Sequence, residues 1–146
     1  ALQAAFPVQT AGLGAEDAFM ANNLVEPSLV RVQADELTYH FHIMIRYELE
    51  KALISGDLAV KDLPAAWNEM YAQYLGVKVP DDAQDVLQDI HWSHGSIGYF
   101  PTYTLGSFYA AQFFDAATKA IDGLEEMIAQ GQLLPLKSWL NKNIHR

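Results

Sequence analysis

The chain has 146 residues, 51% of them hydrophobic and 18% charged, with 18 acidic side chains against 9 basic ones for a formal charge of −9. A chain of that length can close one core over roughly 70% of the surface it exposes when unfolded. The apolar content excludes a disordered tail, and the acidity makes nucleic acid and anionic membrane poor partners. No cysteine is present, which removes disulfides, thiolate metal sites and thiol nucleophiles together. No apolar run approaches the roughly 20 residues of a membrane span, and no basic-then-apolar leader opens the chain, so a soluble, unsecreted, cytoplasmic protein is expected. Both ends read as cuts: "ALQAAF" resembles the tail of a helix, and "LKSWLNKNIHR" stops without a capping glycine or proline.

In chain order, "EPSLVRVQ" predicts a short extended segment after Pro27. From Ala34 to Ser55 the residues Leu37, Phe41, Met44, Ile45, Leu49, Ala52 and Leu53 recur at three and four, one face of a long helix. Gly56 is placed to end it, and Asp35 and Glu36 fall in its first turn. "DLPAAWNEMYAQYLG" predicts a second helix with Asp62 as cap, Pro64 in the first turn, Gly76 as stop, and Trp67, Met70, Tyr71 and Tyr74 on its apolar face. Residues 77–100 hold Pro80, Asp81, Asp82 and two glycines and read as mostly loop, with one helical turn around "DAQDVLQDI". Pro101 opens "PTYTLGSFYAAQFFDAATKAI", read as a long, largely buried helix in which Gly106 permits close packing. "LEEMIAQ" ends at Gly131, and "PLKSWLNKNIH" starts a last helix with Pro135 in its first turn. The expectation is an all-α chain, a single helical piece over 1–146, with one elaborated loop before its longest buried helix.

Chemistry-bearing residues gather at two places. His40 and His42 point roughly 160° apart on a helix, so they do not share a metal; one packs and the other faces solvent or a partner. His91 and His94 can share a face, but no third ligand stands at a recognisable spacing. Asp81, Asp82 and Asp85 read as solvated turn and caps. Asp89 stands two residues before His91, where a carboxylate can orient an imidazole. Gly95, Gly98 and Gly106 follow no strand and form no phosphate-binding fingerprint, and no G-x-S-x-G is present. Tyr99 and Tyr103 are four apart; their hydroxyls either complete a core or donate to an oxyanion. Arg31, in an otherwise apolar segment, either pairs with Asp35 or Glu36 or presents a fork to a substrate carboxylate.

Two segments together resemble the carboxypeptidase Taq family of zinc metallocarboxypeptidases. "VRVQADELTYHFHIMIRYELEKAL" is similar to the family pattern I/V-R-x-x-A-D, met by Val30, Arg31, Ala34 and Asp35. "VLQDIHWSHGSIGYFPTYTLG" is similar to G-x-x-Q-D-x-H-W, met by Gln88, Asp89, His91 and Trp92, with Asp85 where the pattern has glycine. Neither the family's H-E-x-x-H helix nor its later zinc-binding glutamate is present, so the resemblance implies the later part of a catalytic region. It implies a zinc-dependent removal of C-terminal residues from peptides, with zinc in the intact enzyme and none bound by this chain. Arg31 is the implied binder of the substrate's terminal carboxylate. His91, Tyr99 and Tyr103 are the implied catalytic donors, and Asp35, Gln88, Asp89 and Trp92 the supports. The partners implied are a peptide C-terminus, the remainder of the catalytic domain and a second subunit of a homodimer. The rival reading is a non-catalytic interaction module that binds a partner through Trp67, Tyr71 and Tyr74.

Overall fold

Residues 2–84 and 86–145 are described by the structure, a computed structural model in which helix is the regular structure and no strand occurs among those residues. The chain divides into two compact units, Ala1–Phe100 and Pro101–Arg146. In the first, α1 (Leu2–Ala5) and α2 (Ala15–Asn22) precede α3 (Tyr39–Ser55), α4 (Leu63–Leu75) and α5 (Ile90–Ser93). The second holds α6 (Thr102–Ala120), α7 (Leu124–Ala129) and α8 (Leu134–Asn143).

The long helix starts later than periodicity suggested, and Asp35 is the reason. Its Oδ1 accepts the Leu37 and Thr38 N–H groups at 2.9 Å each, and its carbonyl accepts the Tyr39 N–H at 2.9 Å. Those three bonds close a capped turn at Asp35 just ahead of α3, whose own N-cap position is Thr38. Oδ2 takes the Thr38 hydroxyl at 2.6 Å and the Glu26 N–H at 3.0 Å, so the same carboxylate ties the incoming segment to the helix start. These donors, the Thr38 hydroxyl first, lower the Asp35 pKa to about 2, against the opposing effect of burial. The segment before it is a 3-10 turn over Arg31–Gln33, where an extended run was expected; only Val30 keeps extended dihedrals at its entry.

Along α3 the buried positions His42, Ile45, Arg46 and Leu49 repeat at three and four; along α4, Leu63, Trp67, Tyr71 and Leu75 repeat at four. The two stripes pack as one core, with Trp67 stacked on Tyr71 at 5.0 Å and Trp92 edge-on to Trp67 at 5.8 Å. Burying a tryptophan of roughly 200 Å² at about 25 cal/mol/Å² is worth about 5 kcal/mol at most. With Trp67 and Tyr71 fully buried, the aromatic face that the rival reading gave to a partner is the core itself. Both helices stop at glycines in the left-handed region, Gly56 at φ 83° and Gly76 at φ 69°, as the sequence suggested.

One ion pair lies inside this core. Arg46 Nε donates to Asp89 Oδ2 at 2.6 Å, and both side chains are 0% exposed. The guanidinium carbon sits 4.5 Å from the Trp67 ring centroid and 4.8 Å from that of Phe100. Its Nη1 donates to the His42 carbonyl at 3.1 Å and to the Tyr71 hydroxyl oxygen at 3.5 Å.

The region expected to be loop holds 3-10 turns at Asp82–Gln84 and Val86–Gln88 before α5. Asp85, where the family pattern has glycine, lies outside the described residues. Helix α2 carried a sequence signal that the periodicity reading passed over: Asp17 Oδ2 accepts the Gly14 N–H at 2.7 Å, and Glu16 and Asp17 occupy its first turn. In the second unit α6 has the expected span but not the expected burial. Ala117 is its buried residue, whereas Leu105, Phe108, Tyr109 and Phe114 are exposed, and a Cβ added at Gly106 meets nothing within 4 Å. The apolar stripe read from the sequence is present on α6 but stands exposed.

Two outcomes are expected. Arg46→Met leaves Asp89 buried without its cation and lowers stability by about 3 to 5 kcal/mol in urea unfolding, and adding Asp89→Leu recovers most of that loss. Asp35→Ala removes the cap and costs about 1 kcal/mol near neutrality. Because the folded pKa is depressed, the Asp35 contribution is full above the unfolded value near 3.8 and is lost as pH falls toward 2. The difference in thermal midpoint between wild type and Asp35→Ala therefore shrinks below pH 4.

Candidate active site

The candidate residues of the first unit are carried on three short pieces of backbone: the 3-10 turn at Arg31, the start of α5, and the turn that ends at Phe100. Asp89 sets the second. While Oδ2 holds Arg46, Oδ1 accepts the Trp92 N–H at 2.8 Å and caps α5. His91 follows two residues later, 8% exposed. Its ring stacks on Tyr99 at 5.7 Å and 19°, and meets Phe100 at 5.1 Å and His94 at 5.7 Å.

The turn between His91 and Tyr99 is held from below by Glu50. Oε1 accepts the Trp92 indole N–H at 2.6 Å and Oε2 accepts the Gly98 N–H at 3.1 Å. Gly98 adopts φ 78°, a conformation that favours glycine, and hands the chain to Tyr99, which is 54% exposed. A buried stacked imidazole beneath a solvent-facing phenol is the result.

Arg31 is half-buried, with its guanidinium carbon 4.9 Å from the Phe100 ring centroid. The local ion pair with Asp35 or Glu36 does not form; Asp35 is engaged by the four donors that cap α3. Among the described residues the ion pairs are Arg46–Asp89, Lys51–Glu48 and Lys119–Asp115, and Arg31 Nε is buried with no hydrogen-bond partner. One of the two arginines over Phe100 is thus neutralised by a carboxylate. The other is held by a ring.

Charge and burial set the two histidines. The His42 ring is fully buried, with Nδ1 2.9 Å from the Tyr71 hydroxyl. Arg46 Nη1 donates to the same hydroxyl oxygen, so the phenol joins the imidazole and the guanidinium. Burial first, then Arg46 and Arg31, lower the His42 pKa to about 4. His91 is lowered as well, mainly by burial and further by Arg31, His94 and Arg46, with the Asp89 carboxylate opposing. Asp89 therefore acts on His91 through its charge, while its oxygens hold Arg46 and the α5 cap.

The remaining expected residues are placed as follows. Trp92 is half-buried between Trp67 and Glu50. Gln88 donates through Nε2 to the Ala83 carbonyl and so closes the turn before Asp89. His94 is exposed, its Nδ1 3.0 Å from the Ser96 hydroxyl. Tyr103 stands in the first turn of α6 in the second unit, 38% exposed. Among the described residues no three His, Asp or Glu side chains gather as a metal-binding group, so these residues do not fit a catalytic metal.

Three residues of the site were not foreseen from sequence: Arg46, Glu50 and Phe100. A signal existed for two of them, since Arg46 and Glu50 are one turn apart and Arg46 falls on the same stripe as Ile45 and Leu49. A charged residue on a buried stripe must have a partner.

Comparison with known proteins shows the family. The carboxypeptidase Taq (M32) metallopeptidase family profile matches residues 1–146. The chain is 44% identical over 144 residues to carboxypeptidase 1 of Bacillus subtilis, covering 99% of this chain and 29% of that protein. It is 52% identical over 130 residues to thermostable carboxypeptidase 1 of Thermus thermophilus, covering 89% of this chain and 26% of that protein. The crystal structure of an M32 carboxypeptidase from Deinococcus radiodurans superposes with a TM-score of 0.95 at 44% identity, over 99% of this chain and 29% of that one. The chain thus spans less than a third of the length of these relatives, and it belongs to the carboxypeptidase Taq (M32) metallopeptidase family.

Proposed function

We propose that this chain is the substrate-facing part of a zinc-dependent carboxypeptidase that removes residues from peptide C-termini. The observation that carries the reading is Arg31: a half-buried guanidinium packed on a ring, with no carboxylate partner among the described residues. An exopeptidase acting at the C-terminus must bind a free carboxylate, and a guanidinium fork does so in two parallel hydrogen bonds.

His91 shares the Phe100 ring with Arg31, so a substrate terminus gripped by Arg31 lies within reach of the imidazole. With its pKa lowered, His91 is neutral at pH 7 and donates an N–H to oxygen without adding a charge to the site. Tyr99, stacked on it and open to solvent, is a second donor, and Tyr103 is kept as a candidate donor on the family resemblance alone. The metal is held by residues other than those described here and supplies polarisation of the scissile carbonyl when bound. On this reading the chain alone is inactive, and the intact enzyme is a cytoplasmic homodimer.

In the intact enzyme, Arg31→Ala is expected to lower kcat/KM by about 10- to 100-fold for peptides with a free terminal carboxylate, and Arg31→Lys to restore only part of it. An unchanged kcat/KM in Arg31→Ala would overturn the assignment. His91→Phe, which keeps the ring stacking, should lower kcat by about 100-fold or more with little change in KM. The 146-residue chain by itself should release no amino acids from peptides and hold no stoichiometric zinc on elemental analysis; zinc-dependent turnover by it would refute the division of labour.

A further inference from the structure

An arginine that receives an incoming carboxylate has two conflicting requirements. Its long side chain must be held in one place, yet the N–H edge of the guanidinium must stay available. A carboxylate partner meets the first requirement and defeats the second, because it occupies the edge and cancels the charge. An aromatic face meets both, since the cation is attracted to the ring through its plane.

Phe100 is placed to do this. It is fully buried, and its ring is fixed from several sides: Tyr39 meets it edge-on at 5.9 Å and 72°, His91 lies at 5.1 Å, and the Arg46 guanidinium at 4.8 Å. Two nearby carboxylates are committed elsewhere, Asp89 to Arg46 and Asp35 to the turn ahead of α3, and no ion pair joins Arg31 to Glu36 among the described residues. Arg46 shows the alternative on the same ring, a guanidinium with its edge on a carboxylate and its charge spent.

We infer that Phe100 is a positioning residue: it holds Arg31 by its ring face, with the guanidinium edge available to the substrate's terminal carboxylate, and sets Arg31 in register with His91. The inference rests on the proposed carboxypeptidase reading. It assigns affinity for the free C-terminus to a residue that does not itself touch substrate.

The test keeps the shape of the ring and changes only its charge distribution. In the intact, metal-loaded enzyme, Phe100 is replaced in turn by 4-fluoro-, 3,5-difluoro- and 3,4,5-trifluorophenylalanine, and KM and kcat are measured for an N-acylated dipeptide with a free terminal carboxylate. KM is expected to rise stepwise along the series, about two- to five-fold in all, with kcat nearly constant. In an Arg31→Ala background the steps should disappear. Loss of the Arg46 contact is read separately, as a lowered thermal midpoint. A flat KM series while Arg31→Ala still raises KM overturns the inference and leaves the carboxypeptidase reading intact, as does a stepwise rise that persists without Arg31. If Arg31→Ala leaves KM unchanged, both fall.

Discussion

A guanidinium and a carboxylate with no solvent exposure stand at the centre of the first unit, and the placement of its chemical groups follows from them. Moving either charge from water into the interior costs several kcal/mol even after relaxation, so such a pair persists only with close geometry and its other hydrogen-bonding groups occupied. Arg46 meets most of that condition, with Asp89 on Nε, the His42 carbonyl and Tyr71 hydroxyl on Nη1, and two aromatic faces, while Nη2 is buried without a hydrogen-bond partner. The contact joins residues 43 positions apart and fixes the N-cap of α5, and with it His91. Glu50, one turn further along α3, repeats the device 42 and 48 positions away with Trp92 and Gly98. One helix therefore holds both ends of the turn that presents His91 and Tyr99.

This arrangement also decides which groups carry charge. Burial first, and then the cation at Arg46, lower the His42 pKa, and burial lowers that of His91 as well. Asp89 is spent on Arg46, and Glu50 is engaged by uncharged donors. What is left in the neighbourhood of the Phe100 ring is a positive charge at Arg31 without a carboxylate on it, the electrostatic condition for receiving an anion.

How far this was legible beforehand differs between the helices and the site. The spacing of Ile45 and Leu49, the proline at 64 and the glycines at 56 and 76 are local signals, and α3 and α4 lie where they indicate because propensity, capping and burial agree there. The start of α3 was misread because Asp35 looks like an ordinary first-turn acid until its carboxylate is seen to accept from Glu26, nine residues upstream. The site was less legible. Arg31, Asp89, His91 and Tyr99 stood out by residue type and spacing, but only the resemblance chose between their alternatives; Arg46 and Glu50 left no more than a charge on a buried stripe, and Phe100 left nothing, because their roles come from partners more than 40 residues away or from a shared ring. Periodicity reports which face is buried; it does not report what a charge on that face will find.

Helix α6 shows the same limit from the other side. Its sequence is that of a buried helix, and a stretch of 19 residues in water is only marginally helical without packing. Leu105, Phe108, Tyr109 and Phe114 stand exposed where such a helix should gain its stability. The first unit, by contrast, pairs its buried Arg46 with Asp89 and stacks its aromatics within its own residues. The difference lies in where the contacts fall: Arg46 and Glu50 of α3 hold the turn of His91 and Tyr99 through bonds inside the first unit, whereas the apolar stripe of α6, in a chain that spans less than a third of the length of its relatives, stands exposed.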